Sequence, residues 1–260
     1  MDALVTGVCA AGGLVLGEAM EVVVERVGAR RPLTRPWEAC GECDRPLGAA
    51  AGAPVVGSLV VRRCPHCDTP RAHGRRALVL GAVSALVLGL LGGRFGADAV
   101  VAAYAPLGLS LVALSAVDLE RYLLPNRILY PTVAVTGPLL VIASAVDHRW
   151  GSLGRAALSA LVAFVAFLGV HLAVPRGMGF GDVRLAGLVG GAAGWLGFGH
   201  AFVAFLVAFG LGAVIGLVVM AVTRGGRKTR VPFGPFLAAG ALVALVWGNP
   251  IANALFHRGS

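Results

Sequence analysis

The chain has 260 residues, of which 57% are hydrophobic and 13% charged, and its net charge is +9. Soluble domains carry about 25% charged residues. With a mean hydropathy of +0.82, the composition excludes a soluble globular enzyme, a disordered chain and a secreted disulfide scaffold, and predicts an all-α polytopic membrane protein.

The first apolar segment runs from Ala3 to Val24 and gives a first element over residues 1–24. No basic residue precedes it, so it lacks the n-region of a cleavable signal peptide and is expected to be a retained helix. Residues 25–76 are polar. They hold Cys40-Gly-Glu-Cys43 and, after 20 residues, Cys64-Pro-His-Cys67. Each CxxC turn offers two thiolates, and two such turns suit tetrahedral Zn²⁺. Structural zinc is the leading reading, with a redox pair and unliganded thiols as alternatives. Four thiolates close the coordination shell and leave no place for a catalytic water. His66 is expected to be a bystander, and Cys9, alone in the first segment, a small core residue.

Residues 77–260 contain further apolar blocks at Ala77–Gly92, Ala99–Val117, Leu129–Val146, Ala156–Val174, Val183–Phe198, Ala201–Val222 and Pro235–Phe256. The fold expected is about eight transmembrane helices with a small cytoplasmic zinc-binding loop domain. Placing the 25–76 loop in the cytoplasm puts connections 118–127, 175–182 and 223–234 on the same side. Then 18 of the 22 basic residues lie inside, and only Arg94, Arg149, Arg155 and Arg258 outside. The charge is therefore a topology signal with some attraction to anionic headgroups. The bilayer is an expected partner and nucleic acid is not. Small residues four apart (Gly89 and Gly93, Gly187 and Gly191, Gly190 and Gly194, Gly212 and Gly216) predict close helix approach.

Of the 13 acids, most are terminal, lie in the polar loop or sit at helix ends on the outer side, where Asp98 is expected to open a helix and could cap it and Asp147 to close one. Two differ. Asp118 ends the third span, ahead of Leu124-Pro125-Asn126, and Asp182 opens the sixth, in Gly177-Met178-Gly179-Phe180-Gly181-Asp182. Helix parity puts both at the cytoplasmic end. Ionisable groups at membrane depth are costly and mark functional sites. Two carboxyls brought together share a proton. The ionised one can then take a proton from water, while the protonated one polarises a scissile carbonyl. Gly179 and Gly181 would let a substrate backbone lie close. Spacing alone leaves open that Asp182 caps a helix and that Asp118 pairs with Arg121.

The ordered set of motifs resembles the type IV prepilin peptidases. Gly179-Phe180-Gly181-Asp182 followed by Arg184-Leu185 is similar to that family's GxGD segment, which usually carries lysine where Arg184 stands. Asp118 with Leu124-Pro125-Asn126 resembles its first aspartate motif, Val231-Pro232-Phe233-Gly234-Pro235-Phe236 a third segment, and the paired CxxC loop its bacterial zinc-binding domain. The resemblance implies a membrane aspartyl endopeptidase of the bacterial plasma membrane, with Asp118 and Asp182 as the catalytic pair in cytoplasm-facing loops. Its substrates would be prepilins or pseudopilins with a basic leader, cut at the cytoplasmic face. It also implies N-methylation of the new N-terminus with S-adenosylmethionine, where that activity is retained. Two departures bear on it. Glu18 and Glu21 replace a small polar residue and an asparagine, and Leu80 stands where a glutamate commonly opens the second helix. Glu21 and Glu120, with Glu18 and Glu25, are the acids expected to meet a basic leader. The alternatives are a polytopic transporter and a zinc-stabilised membrane scaffold without protease activity.

Overall fold

The computed structural model describes residues 2–28, 40, 43, 45, 63–68, 73–174, 178–223 and 232–256. Among these residues there are eight helices: α1 (Asp2–Gly28), α2 (His73–Phe95), α3 (Val101–Arg121), α4 (Asn126–Val146), α5 (Trp150–Ala173), α6 (Phe180–Leu196), α7 (Phe198–Thr223) and α8 (Gly234–Phe256). Seven are long and apolar enough to cross a membrane. The exception, α6, has 17 residues and at 1.5 Å per residue runs about 26 Å. The apolar blocks of the sequence thus appear as helices, and polar helix ends extend several of them. α1 continues to Gly28, and α3 continues past Asp118 to Arg121. α5 starts at Trp150, six residues before the expected Ala156, because its first turn supports itself: Ser152 N–H bonds the Arg149 carbonyl and Arg155 bonds Ser152 Oγ at 2.8 Å.

The chain divides into two compact units, Met1–Ala97 and Asp98–Ser260. In the first, α1 and α2 form an antiparallel pair with a glycine seam. A Cβ at Gly13 would lie 2.5 Å from the Ser84 carbonyl oxygen, and one at Gly17 2.7 Å from that of Leu80. From the other side, a Cβ at Gly92 would meet Cys9 Sγ at 2.9 Å. Only glycine allows these backbones to approach so closely where lipid supplies no hydrophobic drive. Cys9 is therefore a packing residue, as expected from its position.

In the second unit, α6 lies centrally, packed against α4, α5, α7 and α8, while α3 packs on α4 and α8. Tyr104, Leu107, Leu111, Leu114, Leu129, Leu185, Trp195, Leu237 and Leu245 are fully buried. The glycines of α6 face α5: a Cβ at Gly190 would lie 2.7 Å from Ala163 Cβ, and one at Gly191 3.3 Å from Ala160 Cβ. Gly212 meets the Phe233 ring, whereas Gly216 meets nothing within 4 Å, so that pair does not form a seam. Outward faces are apolar, with Leu158, Leu161, Val162 and Val165 on α5 and Val214, Leu217 and Val218 on α7 all exposed. On a soluble protein such continuous surface would be a liability. Here it is the lipid face.

Candidate functional site

At one end of the second unit, the C-terminal ends of α3 and α5 meet the N-terminal ends of α4, α6 and α8. Asp118 lies in the last turn of α3, which closes when Tyr122, in the left-handed region at φ 53°, returns its N–H to the Asp118 carbonyl. The Asp118 side chain reaches across the bundle, and its Oδ2 accepts the Gly234 N–H at 2.9 Å. That N–H belongs to the open first turn of α8, so the carboxyl also satisfies a helix terminus. It is this backbone donor that holds Asp118, not Arg121, which is exposed.

Asp182 is the third residue of α6. Its Oδ2 accepts the Gly179 N–H at 3.1 Å, half of a capping box. The helix-capping alternative is thus present in the geometry, but the burial goes further than a cap requires: Asp182 is 9% exposed and Asp118 5%. The two carboxyls lie within electrostatic range of each other. Leu124 closes the gap between their supports. A Cβ at Gly181 would sit 2.7 Å from Leu124 Cβ, and one at Gly234 would sit 3.1 Å from Leu124 Cδ2 and 2.7 Å from Asp118 Oδ2. The arrangement needs glycine at both positions.

Two further contacts frame the site. The Arg184 guanidinium lies 4.5 Å from the Phe180 ring centre and 5.3 Å from that of Tyr130, and it donates to Asn126 Oδ1. It ties the start of α6 to the start of α4. Phe233, next to Gly234, packs against Phe167 at 6.2 Å, Phe209 at 5.3 Å and Phe236 at 6.1 Å, which anchors the start of α8.

The remaining expected site residues are placed as follows. Gly179 supplies the backbone donor to Asp182, and Gly181 supplies space for Leu124. Glu120 is exposed on the turn after Asp118. Glu21 and Glu18 are buried in the first unit, at 5% and 6% exposure. Sequence reading missed Gly234, Leu124 and His171 as parts of the site. The Phe233-Gly234-Pro235-Phe236 run was the one available signal for Gly234. The Leu124-Pro125-Asn126 run was the signal for Leu124, and nothing local marks His171.

In the first unit, Cys40, Cys43, Cys64 and Cys67 bring their sulfurs within 4.8 Å of one another, a set that could hold a metal ion. Cys40 and Cys67 are 3.8 Å apart at sulfur, and Cys43 and Cys64 3.7 Å. A tetrahedron with metal–sulfur bonds of about 2.3 Å has edges of about 3.8 Å, so the donor set and its spacing fit. The knuckles are closed by backbone bonds from Cys40 N–H to Arg45 and from Asp68 N–H to Cys64, each 2.9 Å. His66 is exposed and outside the cluster. A backbone hydrogen bond at Arg45 draws the Cys43 thiol down, but desolvation and the Cys67, Cys64 and Cys40 thiols push it up to about 12. A divalent cation held by the four cysteines would reverse that balance, because coordinating thiols ionise outright.

A helical membrane bundle with paired, buried carboxyls at one end and a four-cysteine cluster in its N-terminal unit defines a narrow class of membrane enzyme. Residues 105–217 match the type IV leader peptidase family, and residues 12–93 match the Bacterial Peptidase A24 N-terminal domain. Relatives named prepilin leader peptidase/N-methyltransferase come from Stutzerimonas stutzeri, 28% identical over 90% of this chain and 80% of the relative, and from Burkholderia pseudomallei. Of the latter, one is 31% identical over 92% of this chain and 84% of the relative, and another is 33% identical over 85% and 71%. No solved structure matches the chain. The chain belongs to the type IV leader peptidase family and is a membrane protease.

Proposed function

We propose that this protein cleaves the basic leader from type IV prepilins or pseudopilins, with Asp118 and Asp182 as the catalytic pair. The observation that carries the reading is the convergence of two buried carboxyls, each with one oxygen fixed by a backbone N–H, at 2.9 Å from Gly234 and 3.1 Å from Gly179. With Oδ2 held, the other oxygen of each carboxyl is the one offered to reactants. Two neighbouring carboxyls in a site of low polarity hold one proton between them. The ionised member takes a proton from water as that water attacks the scissile carbonyl, and the protonated member donates to the carbonyl oxygen. The proton then passes to the leaving amine.

The supporting residues follow from the same geometry. Glu120, exposed two residues after Asp118, is the acid proposed to meet a basic leader. Burial of Glu21, at 5% exposure, makes it a weaker candidate for first contact. The cysteine cluster is proposed to hold one structural zinc, with Cys40, Cys43, Cys64 and Cys67 as the ligands, closing residues 25–76 into a small domain. The catalytic loops are proposed to face the cytoplasm, on the arginine distribution. Methyl transfer stays outside the mechanism: where the family has a small polar residue and an asparagine, this chain has Glu18 and Glu21, both buried.

The test is leader cleavage in membranes. Asp118→Asn and Asp182→Asn keep shape but lose the proton chemistry, and general acid–base catalysis contributes about 10²–10⁴-fold. Each variant is expected to insert normally and to leave prepilin uncleaved, while Asp98→Asn cleaves as wild type. Wild-type processing by either variant would remove the dyad mechanism. Intact mass of the same mature products reports whether a methyl group is added.

A further inference from the structure

The Asp182 carboxyl is held by one peptide group, and that peptide is held in turn from behind. Its N–H is that of Gly179, which donates to Asp182 Oδ2 at 3.1 Å. Its C=O is that of Met178, which lies 2.9 Å from His171 Nδ1. A carbonyl oxygen can only accept, so His171 carries its proton on Nδ1 and donates. His171 sits in the last turn of α5, and its ring packs 5.6 Å from that of Phe180, the residue between Gly179 and Gly181. Phe180 is in turn covered by the Arg184 guanidinium.

We propose that His171 is a positioning residue for the peptidase site. By donating to the Met178 carbonyl it fixes the plane of the 178–179 peptide, so that the Gly179 N–H points at Asp182. Glycine at 179 makes this necessary. A peptide next to glycine is free to rotate to conformations that would turn its N–H away, and no side chain at that position resists the turn. The two bonds also share one amide. Donation to its oxygen polarises the group and strengthens donation from its nitrogen. His171 touches neither substrate nor reacting atoms, and it acts through the peptide alone. The inference rests on the peptidase reading of the Asp118–Asp182 site, but the peptide geometry does not.

The experiment uses the full-length protein in nanodiscs with a prepilin substrate, and three variants at one position. Asn places an amide N–H where imidazole Nδ1–H lies, whereas Gln places one near the Nε2 position. His171→Ala is expected to lower kcat about tenfold, in keeping with the cost of small misplacements at a reacting centre. KM should stay within about twofold, because leader binding is untouched. His171→Asn should recover most of kcat and His171→Gln should not, a pattern that simple space-filling does not give. Independently of activity, hydrogen–deuterium exchange at the Gly179 amide should speed up in His171→Ala and slow again in His171→Asn. Wild-type kcat in His171→Ala, equal behaviour of Asn and Gln, or unchanged exchange at Gly179 would each overturn the proposal. If the wild-type protein does not cleave prepilin, the functional reading fails, and the exchange measurement still decides the role of His171.

Discussion

The two aspartates stood out in the sequence because they sit at the ends of apolar runs, where an ionisable group needs a reason. What holds them did not stand out. The donor to Asp118 comes from a residue 116 positions away, and Leu124 matters only because it touches Gly181 and Gly234 from different helices. Local spacing carries no trace of such contacts. They do give a sharp prediction. A methyl group at Gly234 would sit 2.7 Å from Asp118 Oδ2, with the α8 backbone on one side and a hydrogen-bonded carboxyl on the other. Overpacking of this kind costs about 1–3 kcal/mol, and the carboxyl is the part free to move. Gly234→Ala is expected to slow leader cleavage by at least about tenfold, the equivalent of 1.4 kcal/mol, with normal protein abundance. Gly216→Ala, whose Cβ would meet nothing within 4 Å, should cleave at the wild-type rate. Equal rates for both variants would disconnect Gly234 from catalysis.

At the scale of elements, every helix was visible as an apolar block, because a membrane span is a composition signal before it is a pattern. Helix ends were less visible. Charged residues such as Glu120 and Arg121 read as loop, yet the α3 backbone continues through them to its left-handed cap at Tyr122. The seam between α1 and α2 was half legible: Gly89 and Gly93 were read from their spacing, but Gly13 and Gly17 contribute its tightest contacts on α1. Neighbouring glycines there should behave oppositely. Gly12 meets nothing within 4 Å, whereas a Cβ at Gly13 would meet the α2 backbone at 2.5–2.8 Å. Gly12→Ala is expected to raise the melting temperature slightly, since alanine favours an exposed helix by about 1 kcal/mol over glycine. Gly13→Ala should lower it and reduce abundance. The cysteine turns were legible in full, because metal-ligand spacing is local. Purified protein should contain about one zinc per chain, as a closed four-thiolate site requires. Cys40→Ser with Cys43→Ser should abolish the metal and lower abundance, while Cys9→Ala keeps it. Elemental analysis reads the outcome directly, and full abundance without metal would reject a structural role.

For the whole molecule, the decisive question is which face of the membrane the paired carboxyls meet. Within the second unit the two ends of the bundle are unambiguous. One end holds Asp118, Leu124, Asn126, His171, Asp182 and Gly234. The opposite end holds Trp195, which donates to Ser144 Oγ at 2.8 Å and lies beneath the Arg149 guanidinium. α6 therefore runs from one end to the other despite its 17 residues, and a short helix through the centre is tolerated because its neighbours, not lipid, surround it. Arginines near the aspartate end outnumber those near the Trp195 end in the sequence, which by the positive-inside rule supports the proposal that the aspartate end faces the cytoplasm. A prepilin whose mature helix is in the bilayer leaves its leader on that side, so the scissile bond would sit level with both aspartates. Single cysteines introduced as Arg121→Cys and Arg149→Cys mark the two ends, and both positions are exposed. With an impermeant thiol reagent added to intact cells, and the parent chain as background, position 149 is expected to label and position 121 to label only after the membrane is opened. The opposite pattern would turn the site to the outside, where no leader is presented, and would take the prepilin reading with it.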